Sequence, residues 1–271
     1  MNTHWLRGKT VAVVGASSLL GRNLIYYLIS LYNCNIIAID DNVNSLNNLK
    51  ENVAIKENLN VYEFKITSPK YWDDFASGLN IDVIDIVINC KYELSRFKSF
   101  ENIKIDDLSK NMSINFLTSI YSCKYLLPYL KKSKTPSIVN IVNPLSKLVK
   151  SGAISYNASL EALRAFTEMI DDEYKDFYVA WCIVNNTKTD LYKNQEESIK
   201  DYLEKSSASI SNVSVKIVEG IAKKRKKILV GKRAKILFVL ETYFPKSTRY
   251  AYKKMVLNKG LKLYKKPYEK T

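Results

Sequence analysis

The strongest constraint on this chain is the alternation of short apolar runs with longer amphipathic stretches. The runs fall at 10–14, 35–39, 61–64, 83–88, 137–142, 179–184 and 228–230. Each is about strand length and rich in Val and Ile, with both faces apolar, as parallel strands covered by helices on two sides require. Helical periodicity marks 20–31, 43–56, 108–130, 156–175 and 212–223. Alternation of this kind predicts an α/β fold, a doubly wound parallel sheet of about seven strands.

With 271 residues, 46% of them hydrophobic, the chain has enough apolar material for one large core. The N-terminus MNTHWLRGKT lacks the apolar stretch of a signal peptide, and no run reaches the length of a membrane span. Cys34, Cys90, Cys123 and Cys182 stand singly in apolar runs, without metal-ligand spacing or a paired framework. A cytosolic protein with reduced, mostly buried cysteines and no metal is expected.

The net charge of +15 is concentrated at one end. Residues 223–271 hold 17 Lys and Arg against Glu241 and Glu269, so residues 1–222 balance at 25 basic and 25 acidic groups. The chain therefore divides into a neutral body, 1–222, and a basic strand-plus-helix extension, 223–271, packed on the same domain. A concentrated positive field attracts polyanions, acidic proteins or anionic lipid.

The first strand runs into VVGASSLLGRNL, with Gly15 and Gly21 six residues apart and a helix behind them. A phosphate group needs close backbone approach and free N–H groups at a helix N-terminus, which Gly15, Ser17 and Ser18 allow. A small-residue turn before a helix also arises from tight packing alone. Asp40 ends the second apolar run, NIIAID, where a carboxylate can bind the two ribose hydroxyls of an adenosine and would repel a 2′-phosphate. Its bland alternative is a solvated loop acid. Turn and acid together favour NAD over NADP.

Taken along the chain, these segments resemble the short-chain dehydrogenase/reductase family, whose fold is Rossmann-like. LRGKTVAVVGASSLLGRNL is similar to its opening strand and TGxxxGxG turn, with Val14 at the Thr, Leu19 at the middle Gly, and Leu20 and Gly21 completing the turn. DIVINCKYEL resembles its D-hydrophobic-NNAG strand, placing Asn89 and Cys90 at the two Asn and Lys91 and Tyr92 at Ala-Gly. SINFLTSIYSCKYLLPYLKK is similar to its long fourth helix and sets Asn115 at a catalytic Asn. SIVNIVNP puts Asn143 where the family has a catalytic Ser. Thirteen residues on comes Tyr156, at the family's Tyr, and then Leu160, at its Lys. Lys65 replaces an adenine-contacting Asp, and Asn185-Asn186 replace Pro-Gly, though Thr189 matches the Thr beyond.

The resemblance implies NAD(P)-dependent oxidoreduction of a carbonyl or hydroxyl on a hydrophobic or carrier-linked substrate. It makes Tyr156 the proton donor, Asn143 the ligand of the substrate oxygen and Asn115 the support of a water-linked proton path. Gly15, Ser17, Ser18, Leu20, Gly21, Asp40, Asn89, Cys90 and Thr189 then line the cofactor. In the family the Lys lowers the Tyr pKa, and an unperturbed Tyr near ~10 is only about one part in a thousand ionised at neutral pH. With Leu160 in that place, slow reduction remains chemically conceivable, since neutral Tyr156 can donate a proton, whereas alcohol oxidation does not. Arg164 is roughly 12 Å further along the helix, too far to substitute, and Lys147 and Lys150 could only fold back from a loop. The alternative is an inactive binding or scaffold protein. For Asn115 the bland reading is a bridge between backbone groups at a helix distortion.

In the extension, Ile236, Leu237, Leu240, Tyr243 and Phe244 recur at near-helical spacing, and Met255, Val256, Leu257, Leu261 and Tyr264 do so again. Such segments either pack over the substrate pocket, as C-terminal segments of this family commonly do, or meet an anionic membrane surface or an acidic, acyl-carrier-type protein. Nucleic acid is disfavoured, because the body carries no nucleic-acid module. Homo-oligomers are implied by the resemblance alone.

Overall fold

The computed structural model describes residues 3–52, 56–142, 153–184, 195, 197, 200–201, 208–248 and 250–251. Its centre is a seven-stranded sheet in the order β3-β2-β1-β4-β5-β6-β7, with every neighbouring pair parallel. The strands are β1 (Thr10–Val14), β2 (Asn35–Asp40), β3 (Leu59–Glu63), β4 (Ile86–Asn89), β5 (Ser137–Val142), β6 (Tyr178–Val184) and β7 (Lys227–Val230). All seven predicted runs become strands, two with the same bounds and the rest with ends shifted by up to three residues. β7 comes from the basic extension and completes the sheet at its edge.

Helices cover both faces: α1 (Leu19–Tyr32), α2 (Val43–Asn52), α3 (Pro69–Gly78), α4 (Ile105–Met112), α5 (Thr118–Leu130), α6 (Ile154–Glu173), α7 (Ile210–Ala222) and α8 (Lys232–Tyr243). Two differences from the periodicity matter. The expected long helix at 108–130 begins at Ile105 and is interrupted by a π-helical segment, Ser113–Leu117. Helix α3 was not predicted; its local signals are Pro69 at the first turn and the buried Trp72.

Two apolar clusters sandwich the sheet. One gathers α1 and α7 on Val11, Val13, Ile36 and Ile88, and the other gathers α3 and α5 on Ala12, Val14, Ile37 and Val87. Alternate residues of β1 thus face opposite clusters, which is why its sequence had to be apolar throughout. A third cluster lies around α6, with Tyr156, Leu160 and Leu163 against Val142 and Trp181. The four cysteines are buried and free. Burial pushes the thiols of Cys34, Cys90 and Cys123 up to about 12, so they stay protonated and inert at neutral pH.

Candidate functional site at the strand ends

The sheet order places β1 between β2 and β4, so the segments that leave these three strands meet at one edge. Gly15 follows β1 with φ +91°, and a Cβ there would lie 2.5 Å from the backbone nitrogen of Lys91. Only glycine permits that approach. Gly21 is equally constrained, because its Cβ would lie 2.3 Å from the carbonyl oxygen of Gly15. Ser18 caps α1: its Oγ accepts from the Gly21 N–H at 2.9 Å and donates to the Gly15 carbonyl at 2.7 Å. Leu20 is buried. The turn therefore has a complete packing rationale of its own.

Asp40 closes β2 and is fully buried. Its Oδ2 accepts from the Ser17 N–H at 2.8 Å and from Ser17 Oγ at 2.6 Å. Its Oδ1 accepts from the Asp41 N–H at 2.8 Å and from Lys91 Nζ at 2.7 Å. A carboxylate offers about four lone-pair directions, and here each has a donor. Lys91 Nζ also lies 2.9 Å from Asp41 Oδ1.

Burial by itself pushes the Asp40 carboxyl up, but the Lys91 charge and hydrogen bonding with Asp41, Lys91 and Ser17 overcome it and hold it below its ordinary value. Asp41 goes up, through burial and then its bonding with Asp40, against the pull of Lys91. Burial pulls Lys91 down, but Asp40 and then Asp41 more than reverse that and raise it. The pairing thus favours the charged forms of Asp40 and Lys91, while Asp41 is pushed toward its protonated form.

With Lys91 in place, Asp40 leaves no free acceptor position for the adenosine end of a nicotinamide dinucleotide. Two ribose hydroxyls approaching Asp40 would find its acceptor directions taken. Two of the four donors are backbone amides of the turns, whereas Ser17 Oγ and Lys91 Nζ are side-chain groups able to turn away, Lys91 being 22% exposed.

The second group of expected site residues lies on and around α6. Tyr156 is 1% exposed and Leu160 is 0% exposed, both in an apolar cluster with Leu94, Phe97, Leu163 and Trp181. The cleft beside Tyr156, lined also by Ser95, Arg96, Lys98 and Asp107, measures about 10 Å³, room for about one water. Arg164 is held by Glu161 and Glu168, each at 2.9 Å, and so does not supply the missing cation.

Asn115 sits in the π segment and brackets one residue of the chain after β4. Its Oδ1 accepts from the Glu93 N–H at 2.7 Å, and its Nδ2 donates to the Glu93 carbonyl at 3.1 Å and to Ser159 Oγ at 3.0 Å. This is the bridge between backbone groups at a helix distortion. Asn89 is buried between β5 and α5: its Nδ2 donates to Asn140 Oδ1 at 2.8 Å, and its Oδ1 accepts from Ser122 Oγ at 2.6 Å. Cys90 points its Sγ at the Val14 carbonyl, 3.2 Å away.

Asn143, Thr189, Lys147, Lys150, Asn185 and Asn186 lie outside the described residues. Two residues at the site carried no readable role in the sequence. Lys91 was visible only as a departure at an Ala position, and its partner is 51 residues away. Gln195 accepts from the Phe97 N–H at 3.0 Å and donates to the Ser95 carbonyl at 2.9 Å, fixing the segment after β4; nothing local signals that. Among the described residues, no cluster of three or more His, Cys, Asp or Glu could hold a metal.

A seven-stranded parallel sheet, a glycine turn after its first strand and an acid closing its second define a Rossmann-type α/β protein. More specifically, the chain belongs to the short chain dehydrogenase family, whose profile matches residues 9–200. No curated protein sequence matches the chain. Its fold is similar to that of a short-chain dehydrogenase from Streptomyces avermitilis, with a TM-score of 0.77, 17% identity, and coverage of 93% of this chain and 98% of that one. A short chain dehydrogenase from Burkholderia cenocepacia in complex with NADP matches with a TM-score of 0.77 and 16% identity over 91% of this chain and 98% of that one. A dehydrogenase/reductase from Burkholderia phymatum in complex with NAD matches with a TM-score of 0.78 and 14% identity over 90% and 96%. At such identities the likeness carries the fold alone.

Proposed function

We propose that this chain is a short-chain dehydrogenase/reductase-type protein whose dinucleotide cleft is held closed at its adenosine end, so that it serves as a binding protein rather than a freely turning-over oxidoreductase. One observation carries the reading: Lys91 Nζ occupies Asp40 Oδ1 at 2.7 Å, beside three other donors to the same carboxylate. Position 160 supports it independently, because an aliphatic side chain packed in an apolar cluster replaces the cation that would ionise Tyr156.

Lys91 also changes the choice between NAD and NADP. Against Asp40 alone a 2′-phosphate is repelled; the ammonium 2.7 Å from Asp40 and 2.9 Å from Asp41 offsets part of that repulsion. Preference for NAD is weaker than the acid alone implies.

Calorimetry with NADH and with NADPH tests the reading. The wild-type protein is expected to bind neither at micromolar concentration and to reduce no carbonyl substrate at an appreciable rate. Micromolar binding of either, with Lys91 intact, overturns the closed-cleft reading and restores a reductase with Tyr156 as proton donor.

A further inference from the structure

Thirteen large apolar side chains are exposed among the described residues, and six of them, Ile236, Val239, Leu240, Tyr243, Phe244 and Tyr250, fall within fifteen residues of the C-terminal extension. Dispersed exposed hydrophobics need no explanation, but a contiguous set does. At about 100° per residue, Ile236, Val239, Leu240 and Tyr243 lie within an arc of about 100°, and Phe238 points about 150° away from its centre. Phe238 is the inward residue: it packs on the cluster that holds Tyr156, with its ring 5.5 Å from that of Trp181. Phe238 thus holds this helix against the body, while the opposite side of the same helix stays exposed.

We propose that the outer face of α8 docks the protein on an anionic lipid bilayer, with the aliphatic residues and Tyr243 and Phe244 entering the headgroup region. Charge complementarity selects this occupant. Residues 223–271 carry 17 Lys and Arg against two acids, and Lys235 and Lys246 are exposed along the stretch that holds the apolar stripe. A second copy docking through the same face would bring two such positive segments together, which repel. A bilayer offers negative charge and an apolar layer without demanding a matching shape, and exposed aliphatic and aromatic side chains beside lysines suit its headgroup region. Among the described residues no helix is long and apolar enough to cross a membrane, so the contact is peripheral.

Co-sedimentation of the full chain with vesicles tests this, independently of any nucleotide. Vesicles of phosphatidylcholine with phosphatidylserine are expected to bind it, and vesicles of phosphatidylcholine alone are not. The double variant Leu240→Glu, Tyr243→Glu alters only exposed side chains; it is expected to keep the wild-type circular dichroism and to bind anionic vesicles about tenfold less tightly or worse. The proposal is overturned if wild type ignores both vesicles, or if the double variant binds anionic vesicles as well as wild type. It is equally overturned if the wild type forms a dimer that the variant dissolves while neither binds lipid.

Discussion

Lys91 Nζ and Asp40 Oδ1 lie 2.7 Å apart, joining the end of β4 to the end of β2 across the glycine turn that follows β1. A buried ion pair recovers its desolvation cost only when further hydrogen bonds satisfy the charges. Here Ser17 and Asp41 supply them for the carboxylate, and Asp41 takes a second bond from the ammonium. Three crossovers are fastened at the place where a dinucleotide's adenosine would sit in this fold.

Replacing Lys91 by Ala separates the structural role of that pair from its blocking role. Folding stability should fall by about 2 kcal/mol, the cost of removing a hydrogen bond between charged groups, as read from urea unfolding. Affinity for NADH or NADPH should rise by about tenfold or more, equivalent to about 1.4 kcal/mol, because one acceptor direction of Asp40 is freed. Unchanged affinity in a folded Lys91→Ala protein would mean that something other than Lys91 closes the cleft.

The same cluster sets a pH dependence. Asp40 has a folded pKa below its ordinary 3.8, so its contribution is complete above that value and is lost as pH falls through the depressed one. Lys91 is raised above 10.5, so its contribution is present below 10.5 and disappears only as pH climbs through the folded value. Asp41 is raised and has the opposite sign to Asp40: acidification relieves its cost and offsets part of the loss. Unfolding free energy measured from neutral pH into acid should therefore drop more steeply for wild type than for Asp40→Asn below about pH 4.

Leu160→Lys restores the residue type that the family resemblance expects, but into a position with no solvent exposure. Burying an ammonium among Leu163, Trp181 and their neighbours should cost about 3 kcal/mol of stability, with no gain in NADH-dependent reduction. Thermal unfolding and an absorbance assay of NADH consumption report both effects. Wild-type stability together with new turnover would show that this region opens to nicotinamide, contrary to the closed-cleft reading.

Asn115→Ala removes both halves of the bracket on Glu93 and leaves a backbone donor and acceptor without partners in the protein. A loss of about 2–3 kcal/mol is expected, with faster hydrogen exchange at the Glu93 amide. Unchanged exchange would mean that the bracket does not hold the segment after β4.

The local periods were enough for the sheet. Strands such as β1 and β6 are apolar runs with no polar face, and residues such as Val11 and Ala12 need covering from both sides, which forces a parallel sheet between helical layers. The glycine turn was equally legible, because Gly15 and Gly21 sit where a strand gives way to a helix. The π segment was not, since a one-residue expansion leaves the apolar spacing of 108–130 almost unchanged while turning Asn115 toward Glu93. Gln195 was hidden for a similar reason: its partners, Ser95 and Phe97, are a hundred residues away.

Sequence alone thus determined the α/β architecture, the family and the concentration of charge in the last 49 residues, because each is written in local period, motif spacing or composition. Which groups Asp40 pairs with was decided only by the tertiary structure. The sequence reads a carboxylate at the end of β2 as a ribose ligand; the strand order sets β4 on the far side of β1 and brings Lys91 within 2.7 Å of it. Electrostatic pairing depends on distance in space, and only the folded sheet sets that distance.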